Sequence, residues 1–289
     1  MEIEFRNLDD RSKPEVYRTF VEAFSDYELD MSHMSEKNTW NRAAKNRIDL
    51  SASVGAFAGE RMVGYTLVGI DEWKGGIRYA YDIMTGIVKE FRGKGIARGM
   101  FAHIRPGLKE RGVERFALEV LQGNDRAIRA YKKAGFGIVR EFDCYQFDLE
   151  AWSEGEHHGH FRVSEADVDI LDRFAGELDW EPSWENSFNA VRAIPDEVLV
   201  LSAWMEGVEA GILVYYPALK WIMTLLTRRG VRRKGVGSAL LDSLVGRVGS
   251  PRLPLRLVNA DHSDDTMAEF LSRHGFERFV GQYEMEMVL

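Results

Sequence analysis

With 289 residues and a mass of 33.0 kDa, the chain is long enough for one large domain or two ordinary ones. Its 45% hydrophobic and 29% charged residues exclude a disordered chain. The net charge of -8 disfavours a nucleic-acid partner and mildly favours a cationic acceptor such as an amine.

The chain shows no signal for membranes or secretion. No apolar run approaches the roughly 18 residues of a membrane helix, and Met1–Arg6 lacks the layout of a signal peptide. Cys144 is the only cysteine, so no disulfide forms within the chain. We expect a cytoplasmic protein without a membrane partner.

Periodicity predicts strands interleaved with helices in the first half of the chain, and therefore a mixed α/β sheet. In the first helix, Val16, Phe20, Val21 and Phe24 form the predicted buried face. In chain order the predicted elements are a strand at 2–7, helices at 13–25 and 40–50, a hairpin at 54–57 and 62–70, a strand at 78–88, a helix at 96–111, a strand at 116–121, a helix at 125–134 and a strand at 138–148.

A glycine-rich pattern, Arg-x-Lys-Gly-x-small, occurs twice, at Arg92–Ala97 and 140 positions later at Arg232–Gly237. A Gly-Phe pair at Gly135 recurs at Gly275, again 140 positions later. Two motifs with one offset indicate an internal repeat.

The offset between the copies increases upstream of the glycine loop. Gly64 matches Gly211 at an offset of 147, so the first copy carries seven additional residues there. We predict that they extend a hairpin turn at Asp71–Gly76, where Gly-Gly supplies positive φ. The polar stretch Ala151–His160 is predicted to be a linker. Its histidines lack metal-site spacing, so no metal site is expected.

The loop at Arg92–Ala97 lies where a strand is followed by a helix. Gly93, Gly95 and Ala97 let an anion approach the free amides of the helix start, and Arg92 and Lys94 would add cationic donors. Taken alone, the pattern fits a tight turn equally well. It matches neither the P-loop nor the dinucleotide-binding fingerprint.

The Arg92–Ala97 loop resembles the coenzyme A loop of the GNAT superfamily of N-acetyltransferases. Asn124, Ala127, Tyr131 and Gly135-Phe136 are similar to a second ordered motif of that superfamily. The resemblance covers nearly all of 1–150 and, more faintly, 161–289. It implies two tandem GNAT-like domains joined by the linker 151–160, each a mixed, mostly antiparallel sheet flanked by helices, with acetyl-CoA as cofactor.

The resemblance also implies which residues contact the cofactor. Backbone groups of Ile87 and Val88 would contact the pantetheine arm. Asn124 would be a second pantetheine contact, and its ordinary alternative, a helix N-cap, is compatible with that role. The pyrophosphate would lie against the loop amides, which belong to Gly93, Lys94, Gly95, Ile96 and Ala97.

In the family's motif, Tyr131 takes the position of the general acid that protonates the leaving thiolate. Glu119, twelve residues earlier, resembles the base of enzymes that act on ribosomal-protein N-termini, although a solvated strand residue fits it as well. Asp82 is the alternative base. In the second copy, Asn259 and Leu271 replace Glu119 and Tyr131. The second domain is therefore expected to bind coenzyme A weakly or only to maintain the fold.

These features predict acetyl transfer from acetyl-CoA to a primary amine of a small molecule or a peptide N-terminus, catalysed in the first domain. The alternative is a coenzyme A sensor or scaffold without turnover. The segment expected to line the acceptor pocket, Phe24–Trp40, follows no motif that identifies the acceptor.

Overall fold

The computed structural model describes residues 2–26, 31, 34–148, 161–248 and 254–289. The predicted linker 151–160, with its histidines, lies outside these residues. The described residues form two compact units. The first comprises Met1–Glu141 and Gln282–Leu289, and the second comprises Phe142–Gly281.

In the first unit, strands follow the order β1-β2-β3-β4-β5-β12. All neighbours are antiparallel except β4 and β5, which are parallel. The strands are β1 (Glu4–Asn7), β2 (Val54–Ala58), β3 (Arg61–Trp73), β4 (Ile77–Ile87), β5 (Arg115–Leu121) and β12 (Glu277–Val288). The helices are α1 (Lys13–Ala23), α2 (Glu36–Lys45), α3 (Ile96–Glu110) and α4 (Asp125–Ala134).

The second unit repeats this arrangement, with the order β6-β11-β10-β9-β8-β7 and a parallel pair at β10 and β11. Its strands are β6 (Gly137–Phe147), β7 (Phe161–Glu165), β8 (Leu199–Met205), β9 (Val208–Tyr216), β10 (Trp221–Thr227) and β11 (Leu255–Asp261). Its helices are α5 (Phe188–Arg192), α6 (Val236–Val248) and α7 (Asp265–Arg273).

Each unit completes its sheet with a strand that the other copy of the repeat supplies. Residues 282–288 pair with β5 in the first unit, and residues 142–147 pair with β11 in the second. No pattern in the sequence predicts this exchange. The two strands follow equivalent Gly-Phe pairs in the repeat, so local sequence does not decide which edge each one joins.

One hydrophobic core of the first unit lies between the sheet and the helices α3 and α4. Met100, Phe101 and Ile104 of α3 pack against Phe116 and Leu118 of β5. Phe101 meets Phe116 edge to face, with ring centres 5.6 Å apart. This packing holds α3 against the sheet, and the start of α3 therefore has a fixed position beside the end of β4.

Two predictions about helices were wrong. The second helix begins at Glu36 instead of Trp40, because the Ser35 side chain caps it by accepting from the Asn38 amide. Val21 is 53% exposed, whereas Val16 and Phe20 are buried as predicted.

The turn prediction is confirmed only at its glycine end. Residues 71–73 belong to β3 and pair with residues 77–79 of β4, so the additional residues lengthen the two strands instead of the turn. Gly75 and Gly76 have φ of +79° and +80° between β3 and β4. Both values lie in the left-handed region that glycine adopts without strain.

Candidate active site

The loop between β4 and α3 presents backbone amides in open space. Gly93 and Gly95 have φ of +79° and +80°, and α3 begins directly after Gly95. A Cβ on Gly95 would meet nothing within 4 Å. The first helical hydrogen bond runs from the Gly99 amide to the Gly95 carbonyl at 3.0 Å, so the helix supplies no acceptor for the amides before it. With the helix dipole, these amides suit an anion such as a pyrophosphate.

Arg92 holds this loop against the end of α1. Its Nε donates to the Ile87 carbonyl at 2.9 Å, and its two terminal nitrogens donate to the Asp26 carboxylate at 2.7 and 3.0 Å. The hydrogen bonds from Arg92 lower the pKa of Asp26 to about 2. Arg92 therefore fixes the loop geometry, and its role as a phosphate donor stays a prediction. Lys94 is exposed, with its ammonium 4.8 Å from the centre of the Phe91 ring.

Beside this loop the two parallel strands separate. Pairing between β4 and β5 runs from Tyr79 and Arg115 to Asp82 and Leu118. Beyond that point β4 and β5 both continue, and within the described residues they no longer pair. The register of β4 against β3 also shifts at Ile83, which forms a bulge. Asp82 therefore lies at the fork between the strands.

The Asp82 carboxyl group is buried at this fork, with 6% of the residue exposed. Its Oδ2 accepts from the Thr85 hydroxyl at 2.8 Å and from the Tyr131 hydroxyl at 3.4 Å. Its Oδ1 has no hydrogen-bond partner among the described residues. Burial raises the pKa of Asp82 to about 7, although both hydrogen bonds and the charge of Arg42 act in the opposite direction. A carboxyl group of this pKa can accept and return a proton near neutral pH.

Tyr131 is positioned by aromatic neighbours on α3 and after α4. It is half-buried, and its ring centre lies 5.9 Å from those of Phe101 and Phe136. Gly135 ends α4 in the left-handed conformation, and Phe136 packs in the core. These contacts direct the Tyr131 hydroxyl towards Asp82.

Glu119 lies on the opposite face of the sheet from Asp82. Asp82 is in register with Leu118, and side chains alternate along β5, so the next residue faces the other side. There Glu119 is cross-strand from Glu284. Glu284 is buried, pairs with Arg140 at 2.7 Å and also contacts Lys74. The structure therefore brings Tyr131 together with Asp82, whereas Glu119 faces the other side of the sheet.

The predicted pantetheine contacts already have protein partners. The Asn124 carbonyl oxygen accepts from the Ala127 amide at 3.0 Å, which confirms its N-cap interpretation. The Val88 amide donates to Val63, and the Val88 carbonyl accepts from Phe91. The Ile87 carbonyl accepts from Arg92. Contacts of Ile87, Val88 and Asn124 with a pantetheine arm stay predictions.

Comparison with known proteins places the first unit in a family. Residues 13–136 match the "Acetyltransferase (GNAT) family". This part of the chain is a GNAT domain. Over 81 residues, 28% of the chain, the sequence is 32% identical to N-alpha-acetyltransferase 30 of Schizosaccharomyces pombe. That match spans 54% of the relative's own length.

Solved structures extend the likeness in fold to both units. A GCN5-related N-acetyltransferase from Sphaerobacter thermophilus superposes with a TM-score of 0.73 at 14% identity, covering 99% of this chain and 95% of that one. A tandem GNAT protein from the clavulanic acid biosynthesis pathway superposes with a TM-score of 0.72 at 15% identity, covering 99% of this chain and 98% of that one. The predicted fold class, two tandem GNAT-like domains with mixed sheets, is confirmed.

The second GNAT-like unit keeps the loop of the first. Arg233 and Gly235 have φ of +64° and +90°, matching Gly93 and Gly95. Arg232 repeats the bracing role of Arg92, because it donates to the Thr227 carbonyl at 3.4 Å and pairs with Asp179 at 2.7 Å.

The groups at the strand fork are not repeated in the second GNAT-like unit. Ile222 takes the place of Asp82 and Leu271 that of Tyr131, and both are fully buried. Pairing of β10 with β11 ends at Leu257, and the Asn186 side chain donates to the next carbonyl, that of Val258, at 2.7 Å. The second unit thus fills its fork with its own side chains.

Thr66 and Thr85 were not predicted as site residues from the sequence. Their hydroxyl oxygens lie 2.8 Å apart across β3 and β4, and Thr85 holds Asp82. The sequence does distinguish this pair, because the repeat offsets place Leu213 and Leu225 at the equivalent positions of the second GNAT-like unit. The two copies therefore differ in polarity at this pair, and that difference can be seen in the sequence.

Metal and membrane features are absent from the described part of the chain. Within those ranges, no group of three His, Cys, Asp or Glu side chains could hold a metal ion. Among the same residues, no helix is long and apolar enough to cross a bilayer. Cys144 is buried, as expected for a small apolar side chain.

Proposed function

We propose that the chain transfers an acetyl group from acetyl-CoA to a primary amine, and that the reaction takes place in the first unit. The observation that carries this proposal is the contact of Tyr131 with Asp82 at the fork of β4 and β5, beside the open amide loop. A proton-accepting group, a proton-donating group and an anion site then lie on neighbouring elements.

The residues at the loop and the fork fit acetyl-CoA. Space for an anion exists at Gly95, where a Cβ would meet nothing within 4 Å. At the fork, Oδ1 of Asp82 has no partner among the described residues. The amides from Gly93 to Ala97 would hold the pyrophosphate, with Lys94 as an exposed cation nearby. When bound, acetyl-CoA supplies the acetyl thioester.

Burial and geometry support the proton-transfer roles. Asp82 accepts a proton from the amine, directly or through water, because its pKa of about 7 leaves a large ionised fraction at neutral pH. Tyr131 gives its phenolic proton to the leaving sulfur. Glu119, on the opposite face of the sheet, is the alternative base.

The acceptor class is a primary amine of a small molecule or of a peptide N-terminus. Support comes from the name of the Schizosaccharomyces pombe relative, an N-alpha-acetyltransferase, and from the net charge of -8, which attracts cationic acceptors. A coenzyme A sensor is the second candidate. It is favoured for the second unit alone, where the loop persists without Asp82 or Tyr131 counterparts.

The test is release of free thiol from acetyl-CoA in the presence of a panel of amines and N-terminal peptides, with the acetylated product identified by mass spectrometry. The control is the double variant Asp82→Asn/Tyr131→Phe. We expect amine-dependent release with the wild type and only background with the variant. Equal background from both proteins, together with saturable acetyl-CoA binding, would favour the sensor.

A further inference from the structure

Four polar side chains form a continuous hydrogen-bonded line in the first unit. The Thr66 and Thr85 hydroxyl oxygens are 2.8 Å apart, Thr85 donates to Asp82 at 2.8 Å, and Tyr131 donates to Asp82 at 3.4 Å. Thr66 and Asp82 are buried, and Thr85 and Tyr131 are half-buried. Burying such groups costs free energy unless they are paired.

The fold itself does not require this polar line, as the second unit shows. Thr66 and Thr85 are cross-strand partners in β3 and β4, just as Leu213 and Leu225 are in β9 and β10. Each second strand carries a bulge at the same place, at residue 83 in β4 and at residue 223 in β10. The four equivalent positions are all aliphatic, namely Leu213, Leu225, Ile222 and Leu271.

Four polar residues in one unit thus correspond to four aliphatic residues in the other, and the register between β3 and β4 is the same as that between β9 and β10. Because the second unit folds with aliphatic side chains at these four positions, folding alone does not explain the four polar side chains of the first unit. The same unit holds the open amide loop and the contact of Asp82 with Tyr131.

We propose that Thr85 and Thr66 are positioning residues that orient the Asp82 carboxyl group, so that Oδ1 receives the amine proton while Oδ2 faces Tyr131. This inference rests on the proposed function. Thr85 has one hydroxyl hydrogen and gives it to Asp82, so its oxygen accepts from Thr66. Thr66 thereby holds Thr85, and Thr85 holds the carboxylate.

The proton transfers of the proposed reaction balance between Asp82 and Tyr131. A C–N bond forms to the acceptor and the C–S bond breaks. Asp82 takes the N–H proton on Oδ1, and Tyr131 transfers its O–H proton to sulfur. Before the next turnover, the proton on Asp82 passes to the tyrosinate through water. One proton leaves the amine, one arrives at sulfur, and both residues regain their starting states.

The experiment compares Thr85→Val with Thr85→Ser, which keeps the hydroxyl. The carboxyl signal of Asp82 is titrated by NMR in protein labelled with ¹³C-aspartate, and Asp82→Asn assigns the signal. The pH profile of kcat/KM is measured in parallel. The charged group that acts on Asp82 from another element, Arg42 of α2, is unchanged in these variants. Tyr65 of β3 is also unchanged, and it stays neutral during the titration because burial raises its pKa well above the ordinary value.

Loss of the Thr85 hydrogen bond removes a group that stabilises the ionised carboxylate. We therefore expect Thr85→Val to raise the Asp82 pKa by about one unit and to shift the acid limb of the profile equally, with the KM for acetyl-CoA unchanged. Thr85→Ser should restore both, and Thr66→Val should give a smaller shift in the same direction.

An Asp82 pKa that is the same in wild type, Thr85→Val and Thr66→Val would overturn the inference, provided that circular dichroism shows all variants folded. Because the NMR titration needs no substrate, its outcome is separate from that of the activity assay. A shifted pKa in a protein that acetylates no amine would sustain the positioning role and refute the proposed function.

Discussion

Replacing Asp82 with Asn should make the protein more stable at high pH while removing its activity. Burial raises the pKa of Asp82, so ionisation of this carboxyl group destabilises the folded chain relative to the unfolded one. Between pH 3.8 and about 7 the native state binds more protons at Asp82 than the unfolded chain does. The contribution of Asp82 to the stability of the wild type therefore falls as pH rises through this window, and Asp82→Asn lacks this contribution.

The size of the effect follows from the same shift. A rise from 3.8 to about 7 is about 3 units, which at 1.36 kcal/mol each is about 4 kcal/mol. The Asn amide adds a cost of about 1–2 kcal/mol, because it brings a buried donor to the fork, but that cost does not change with pH. The stability of Asp82→Asn relative to the wild type should thus increase by about 4 kcal/mol from below pH 4 to above pH 8.

The assay is urea unfolding of both proteins at a series of pH values, together with acetyl transfer at neutral pH. Asp26→Asn is the matched control, because a pKa of about 2 places its titration window below 3.8. Its stability difference from the wild type should stay constant from about pH 5 to pH 8. A constant difference for Asp82→Asn as well would refute the buried, neutral-pH carboxyl group, and wild-type turnover in Asp82→Asn would refute its role as base.

Three further outcomes test the loop and the acid. Tyr131→Phe should lower turnover by roughly ten- to a thousand-fold with acetyl-CoA affinity nearly intact; a joint collapse of affinity would make Tyr131 structural. Gly95→Glu should abolish acetyl transfer, whereas Gly235→Glu should leave most of it, with circular dichroism as the folding control. The reverse result would place catalysis in the second unit. Acetyl-CoA should raise the melting temperature of the wild type but not of Arg92→Glu, whose new carboxylate would repel Asp26 and release the loop. An unchanged response would contradict the loop assignment.

Sequence alone determined the features that depend on local residues and their spacing. The internal repeat, the positive-φ glycines of the loop, the turn at Gly75 and the Asn124 cap all depend on residues close together in the chain or on a constant offset. Backbone conformations that need glycine, and caps that need a short polar side chain, are visible in the sequence because few residue types satisfy them.

Only the tertiary structure decided which carboxylate meets Tyr131. Glu119 is twelve positions from it along the chain and Asp82 is 49, yet strand alternation turns Glu119 to the far face while register brings Asp82 to the fork. The use of Arg92 as a brace also depends on Asp26, 66 positions away. Such pairings are set by the packing of strands and helices against one another, whereas the local pattern that predicts each element contains no information about the element's partner.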